Sequence, residues 1–409
     1  MTFDRRRFLL AGASGVAYAA ARPLGSLAAD PVLGPAQLPS GALESALLDA
    51  LPGKVPLIKK SWRPPNFETP VSYFNEAFTP NNAFFVRYHL ANIPDVAPQD
   101  WRLSVGGDAA DKPYELTLGQ LRSEFTPVEV SALCICSGNR RGLSDPHVPG
   151  VQWGYGAMGN ARWKGVRLKD VLARAGIRKE AVEVVANGAD AAVLDKTPDF
   201  VKSIPAWKAM DDNTLLAYEM NGEALPHWNG YPVRLVVPGW TATYWMKHLT
   251  SIAALSQPFK GFWMSAAYRI PKGKFPVVDR FTTQETDANT PITEMVVSSL
   301  ITNLTEGQRF APYQSIEVRG VAWDGGYGIA AVDVSHDGGH SWRPAELLAD
   351  LGRFSWRQWR YVVPAARAGG YTIVAKATNR IGASQTFELN FNPAGYHNNV
   401  VQRVNIQVG

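Results

Sequence analysis

The sequence predicts an α+β chain in two parts: a mixed domain of helices and strands to about residue 290, then an all-β, immunoglobulin-like sandwich over 291–409. Three observations carry that reading. Hydrophobic residues make up 46% of the 409 and charged residues only 19%, which supplies apolar material for more than one core. Ahead of residue 290, helical and strand periodicities are interleaved. Beyond it, short alternating strands follow one another between turn residues for ~115 residues, the pattern of a two-sheet sandwich.

Taken in order, residues 1–29 read as an export leader. Arg5-Arg6-Arg7-Phe8-Leu9-Leu10 precedes an apolar stretch rich in Ala and Gly, and Leu27-Ala28-Ala29 forms a small-residue cleavage site. The paired arginines resemble the twin-arginine signal, which exports proteins already folded around a cofactor and implies a periplasmic product; an ordinary secretory leader or an anchor is the alternative. No later run reaches the ~18 apolar residues of a membrane span, so none is expected. Residues 30–75, rich in proline and polar breaks, predict an irregular arm on a domain reaching to 290. Asn82 to Leu90 is aromatic and β-branched and predicts a strand with Arg87 and His89 on one face. Val166 to Ala175, followed by Gly176, predicts an amphipathic helix, and Val233 to Pro238 a buried strand. In the last part, strands are predicted at Ser315 to Val321, Gly328 to His336, Trp359 to Val363 and Gly370 to Thr378, with a turn at Asp337-Gly338-Gly339.

The formal net charge of +5 owes much to the leader, which holds four arginines against one acid; beyond it stand 37 basic and 35 acidic residues. Such balance offers no footprint for nucleic acid. The two cysteines, Cys134 and Cys136, lie too close along the chain for a strainless disulfide and share one face of a strand. Seven scattered histidines supply no zinc site, and without a C-x-x-C-H element this chain carries no attached c-type haem. In Ser131 to Arg141 (SALCICSGNRR) a cysteine precedes a small-residue turn and two arginines. Neighbouring cations favour the thiolate, suiting a nucleophile or a soft-metal ligand, and a buried inert thiol beside surface arginines stands as the plain alternative.

The run Cys136-Ser137-Gly138-Asn139-Arg140-Arg141 resembles the C-x-G-N-R-R element of the sulfite oxidase family. FFVRYH at 84–89, ARWKGVRLKDVL at 161–172, LLAYEMNGEALP at 215–226 and NGYPVRLVVPG at 229–239 are similar to the same family in the same order, and VDVSHDGGHSW at 332–342 resembles its dimerisation domain. Within that family the chain looks most like the catalytic subunits of bacterial periplasmic sulfite dehydrogenases. The resemblance implies a molybdopterin-binding domain with one molybdenum cofactor per chain and Cys136 as its only protein ligand. It implies that Arg87, His89, Arg141 and Tyr268 line the substrate pocket, and that Phe85, Val86, Arg87, Tyr88, His89, Asp190, Asn229, Arg234, Trp245, Met246 and Lys247 hold the pterin. Two arginines suit a small oxyanion, because guanidinium groups are planar, permanently charged donors. A histidine there could tune pocket charge or relay protons near neutral pH. Asn229 and Trp245 depart from the animal pattern, which leaves the pterin contacts open. The implied reaction oxidises sulfite to sulfate by oxygen-atom transfer. Electrons then leave singly for a cytochrome c, either a subunit in a heterodimer or a soluble protein; a homodimer through the C-terminal domain is the other assembly implied. A sulfane dehydrogenase, a sulfoxide reductase of the same cofactor fold, and an exported binding protein without activity are the rival readings. The reductase resembles only the first domain, so the C-terminal sandwich argues against it.

Overall fold

The computed structural model describes residues 32–33, 46–275 and 280–409, so the leader lies outside the described residues. The α+β expectation needs correcting. Strands dominate, and the longest described helix, Leu168–Arg174, has seven residues.

The segment expected to be an irregular arm is instead the start of a sheet. Strands Ala46–Asp49, Leu57–Ser61 and Asn66–Glu68 pair in sequence with one another and then with Val86–Arg87. Prolines hide this meander from periodicity, since they fall between strands rather than inside them. The strand expected at 82–90 shrinks to those two residues, preceded by the 3-10 turn Asn81–Ala83. Its aromatic residues are there for burial: Phe84 stacks on Phe85 at 5.5 Å and meets Trp163 edge-on.

Two further sheets frame the site. One runs Lys202–Pro205, Glu183–Gly188, Leu249–Leu255, Arg102–Gly106, Tyr114–Thr117. The other places Leu215–Met220 between Glu223–Ala224 and Met158–Arg167, followed by Pro127–Ile135, with Arg234–Val236 also paired to Leu215–Met220. The helix predicted from Val166 begins at Leu168, because Ala161 to Arg167 belongs to the strand Met158–Arg167. Trp163 on that strand is fully buried, and Gly165 lies so near the Leu216 carbonyl that any side chain there would collide with it. The strand predicted at 233–238 is trimmed to Arg234–Val236.

Beyond residue 290 two sheets face each other. Ser298–Ile301, Ile316–Trp323, Arg357–Val363 and Glu346–Leu347 form one; Gln308–Phe310, Arg403–Val408, Gly369–Asn379, Ile329–Ser335 and Arg343–Pro344 form the other. Each of the four strands expected here forms, with ends shifted by a residue or two. Ile316, Val318 and Trp359 from the first sheet and Val334, Ile373 and Ile406 from the second share one apolar core. A separate cluster crosses between the two parts of the chain, packing Leu133, Ile135 and Met158 against Met295, Val321, Trp323 and Trp356. Leu133 N also donates to Phe354 O at 2.9 Å. The loop that follows Ile135 is therefore gripped from both sides. Among the described residues no helix is long and apolar enough to cross a membrane.

Candidate active site

Cys134 ends inside the strand Pro127–Ile135, and Cys136 stands one residue beyond its end. That difference separates their chemistry. Cys134 is buried, and burial pushes its thiol up to about 11 although Arg234 and Lys247 pull the other way. Cys136 is only part-buried, with its N–H donating to Ala157 O and its carbonyl accepting from Asn139 N, both at 2.9 Å. It lies where two cavities meet, a small inner one and a larger outer one that opens to solvent.

The two arginines after it go opposite ways. Arg140 adopts a left-handed backbone (φ +69°) and sends its buried guanidinium into the C-terminal domain, to Val400 O at 2.9 Å and Ser299 O at 2.6 Å. Arg141 turns back over Gly138, where a Cβ would sit 2.6 Å from the guanidinium, and its Nε donates to Ala394 O at 2.7 Å. Any larger residue at 138 would push the Arg141 guanidinium out of this position. Arg141 then lines the outer cavity together with Arg87, His89, Cys136 and Tyr268. All five residues expected at the reacting centre meet on one surface.

Arg87 is fixed by Asn66 Oδ1 at 3.2 Å and by the Tyr88 carbonyl. His89 stacks on Phe200 at 3.7 Å and its Nε2 pairs with the Tyr268 hydroxyl. Burial, then the charges of Arg87, Lys247 and Lys202, hold its pKa well below 6.5. Both effects favour the neutral ring. Tyr268 sits at φ +58°, and burial raises its pKa against the pull of Arg87, so it carries its proton.

The inner cavity is lined by Phe85, Arg87, His89, Cys136, Asn229, Arg234, Trp245 and Lys247 among the residues expected to hold a pterin, with Cys134, Ser137 and Thr243 beside them. Four other expected contacts lie off that lining. Val86 and Met246 are core residues. Tyr88 is packed under Lys247 Nζ (4.2 Å from the ring centre) with its hydroxyl 2.6 Å from His248 Nε2. Asp190 is buried behind Lys247, whose charge partly offsets the rise that burial gives its carboxyl. Two polar atoms of the lining residues, Arg234 Nε and Thr243 Oγ1, are buried without a hydrogen-bond partner. Buried donors of that kind mark a place made for a polar ligand. With the aromatic rings of Phe84, Phe85 and Trp245, they fit a flat heterocycle bearing a phosphate.

Sequence reasoning passed over Lys54, Lys202 and Tyr396. Lys54 Nζ donates to Asn229 Oδ1 at 2.6 Å, Asn81 O at 2.7 Å and Phe84 O at 3.1 Å, setting one wall of the inner cavity. Lys202, fully buried, donates to Trp263 O at 2.6 Å and lies 5.0 Å from the Tyr268 ring centre. Each comes from a segment without any motif. Among the described residues no group of three or more His, Cys, Asp or Glu gathers around an ion position, so Cys136 offers a metal one protein bond rather than a cage.

Fold and site together define a pterin-cofactor oxidoreductase domain followed by a sandwich. Residues 89–263 match the oxidoreductase molybdopterin binding domain, and 289–409 match the Mo-co oxidoreductase dimerisation domain. Mitochondrial sulfite oxidase of Drosophila melanogaster is 36% identical over 369 residues, covering 85% of this chain and 62% of the fly protein. Sulfite oxidase of Gallus gallus is 37% identical over 335 residues, covering 78% of this chain and 70% of the bird protein. The chain belongs to the sulfite oxidase family. It spans a little under two thirds of the length of the fly and rat enzymes. Among solved structures, the sulfane dehydrogenase SoxCD of Paracoccus pantotrophus superposes with a TM-score of 0.71 at 26% identity, covering 86% of each chain.

Proposed function

We propose that the protein is a sulfite dehydrogenase, oxidising sulfite to sulfate at a molybdenum cofactor and passing the electrons singly to a cytochrome c. The observation that carries this reading is the convergence of Arg87, His89, Arg141 and Tyr268 with Cys136 on one cavity, while Cys136 also lines the inner one with its aromatic and cationic walls. When bound, the cofactor supplies the oxygen atom and takes up the two electrons that sulfite gives up.

The chain's own part is binding, orientation and proton placement. Cys136 offers its thiolate to the metal, a soft ligand suited to it. Arg234, Lys247, Asn229 and Thr243 hold the pterin's polar groups, and Phe85 and Trp245 its flat body. Arg87 and Arg141 bind the dianion from two sides, as charge-assisted donors in a partly enclosed site where such bonds are strong. Tyr268 keeps its proton and donates it as a hydrogen bond to the bound anion. Neutral His89 holds that hydroxyl in place from behind.

The paired arginines of the leader support export in folded form to the periplasm, and the division near residue 290 is proposed as the boundary between catalytic and dimerisation-type domains. The match to a dimerisation domain supports a homodimer. A heterodimer with a cytochrome subunit is the competing assembly. The immunoglobulin-like character of the sandwich is part of the same reading.

A second reading, oxidation of a protein-bound sulfane, is favoured by the likeness to SoxCD. One experiment separates them. Protein produced from the full gene is assayed for molybdenum and for reduction of cytochrome c with free sulfite, beside Cys136→Ser. Sulfite-dependent reduction that disappears in the variant is expected. Turnover only with a sulfane carrier, or protein matured without molybdenum, overturns the proposal.

A further inference from the structure

Part of the outer cavity wall is built from the far end of the chain, by Pro393, Ala394 and Tyr396. A closed turn presents them. Buried Asn392 accepts from Tyr396 N at 3.0 Å and donates to Tyr396 O at 2.8 Å, and Gly395 N donates to Asn392 O at 3.0 Å. Gly395 (φ +60°) lies so close to the catalytic domain that a Cβ there would be 2.6 Å from Val148 Cγ2 and 2.9 Å from Arg141 Cγ. The turn is seated on Arg141, whose Nε it captures through Ala394 O.

The Tyr396 ring then meets both groups that face the anion. The Arg141 guanidinium lies 5.2 Å from its centre, and the Tyr268 ring stacks on it at 5.5 Å and 11°. Arg141 has committed Nε to Ala394 O and Nη1 to Val151 O, at 2.7 and 3.3 Å, while Nη2 makes no hydrogen bond among the described residues. An aromatic face at that distance restrains the guanidinium plane, so the free edge keeps one direction. Tyr268, held in a left-handed backbone, is walled by His89, Phe200 and Trp263 on its other sides, and Tyr396 supplies the one parallel stack that fixes its ring plane toward Arg141.

We propose that Tyr396 is a positioning residue of the oxyanion pocket: its ring holds Arg141 and Tyr268 in register, and the pocket is incomplete without the C-terminal domain. The inference rests on the reading of the outer cavity as an oxyanion site.

The test uses the full-length, molybdenum-loaded protein with Tyr396→Phe and Tyr396→Leu, measuring sulfate binding by calorimetry and the KM and kcat for sulfite separately. The phenylalanine chain keeps the ring and is expected to bind sulfate within about twofold of wild type. The leucine chain is expected to lose ~10-fold in sulfate affinity, the scale of a desolvated cation–π contact plus a ring stack. Its KM is expected to rise by a similar factor while kcat falls less, and its molybdenum content to stay unchanged. Should the leucine protein not fold, Tyr396→Met removes the ring with the same readouts. Unchanged sulfate affinity without the ring overturns the proposal, as does a loss in the phenylalanine chain equal to that in leucine. A wild-type protein that neither binds sulfate nor oxidises sulfite overturns the oxyanion reading instead.

Discussion

Replacing Arg140 by methionine isolates what the buried half of the arginine pair does. The side chain is 2% exposed and sits between the Tyr155 and Trp323 rings, 5.0 and 5.8 Å from their centres. Its two carbonyl bonds, to Val400 and Ser299, join the Cys136 loop to the C-terminal domain beside those of Arg141 Nε to Ala394 O and of Asn398 Nδ2 to the Arg140 carbonyl. Removing the donor takes a partner from the buried Ser299 carbonyl, at ~1–3 kcal/mol, and from the part-buried Val400 carbonyl, at less. Relief of the cation's own burial, which already lowers its pKa, returns part of that. A net loss of ~1–3 kcal/mol follows, with the lysine variant between methionine and wild type because an ammonium reaches one carbonyl well and the other poorly. The assay is reversible denaturant unfolding of the three proteins at one pH. If methionine falls within ~0.5 kcal/mol of wild type, the ordinary range of a surface change, the loop is held by packing alone and the reasoning is wrong.

Three other outcomes are expected. In cofactor-free protein, iodoacetamide at pH 8 labels Cys136 and spares Cys134, whose thiol is buried and raised to about 11; equal labelling in a peptide map would refute the division between them. Burial lowers Lys54 from 10.5 to about 7, so between those values the unfolded chain holds a proton that the folded chain has released. Stability relative to Lys54→Met therefore rises with pH across that window, by up to ~1.4 kcal/mol per unit, and is flat below it; a flat difference up to pH 10 would count against this. Tyr268→Phe removes the hydroxyl that pairs with His89 and faces the anion, and kcat/KM for sulfite should fall ~10- to 100-fold, the value of one hydrogen bond to a charged group; a change under twofold would dismiss it.

The Cys136 run carries a local chemical signal, a cysteine before a small-residue turn and two arginines, whereas Arg87, His89 and Tyr268 were singled out by the family resemblance and not by any pattern in their own neighbourhood. Four of the sandwich strands were legible for another reason, since alternation of the kind seen from Ile316 to Arg319 is written residue by residue, whereas Arg403–Val408 alternates in burial and was not anticipated. The helix content was overread because Val166 and Leu168 belong to different elements, and apolar spacing alone cannot see the change of direction at Arg167. Lys54, Lys202 and Tyr396 were not legible. Their importance comes from contacts across 175 positions for Lys54 and Asn229, and across the domain boundary for Tyr396. No window along the chain contains both partners.

The place of Cys136 between two cavities has a consequence for access. Cys136 shares that boundary with Arg87, His89 and Tyr268, whose side chains also line both cavities, so the partition is a party wall of four residues. Whatever enters by the outer opening therefore meets the same four side chains that bound the inner space, and a change at any one of them is felt on both sides of the partition.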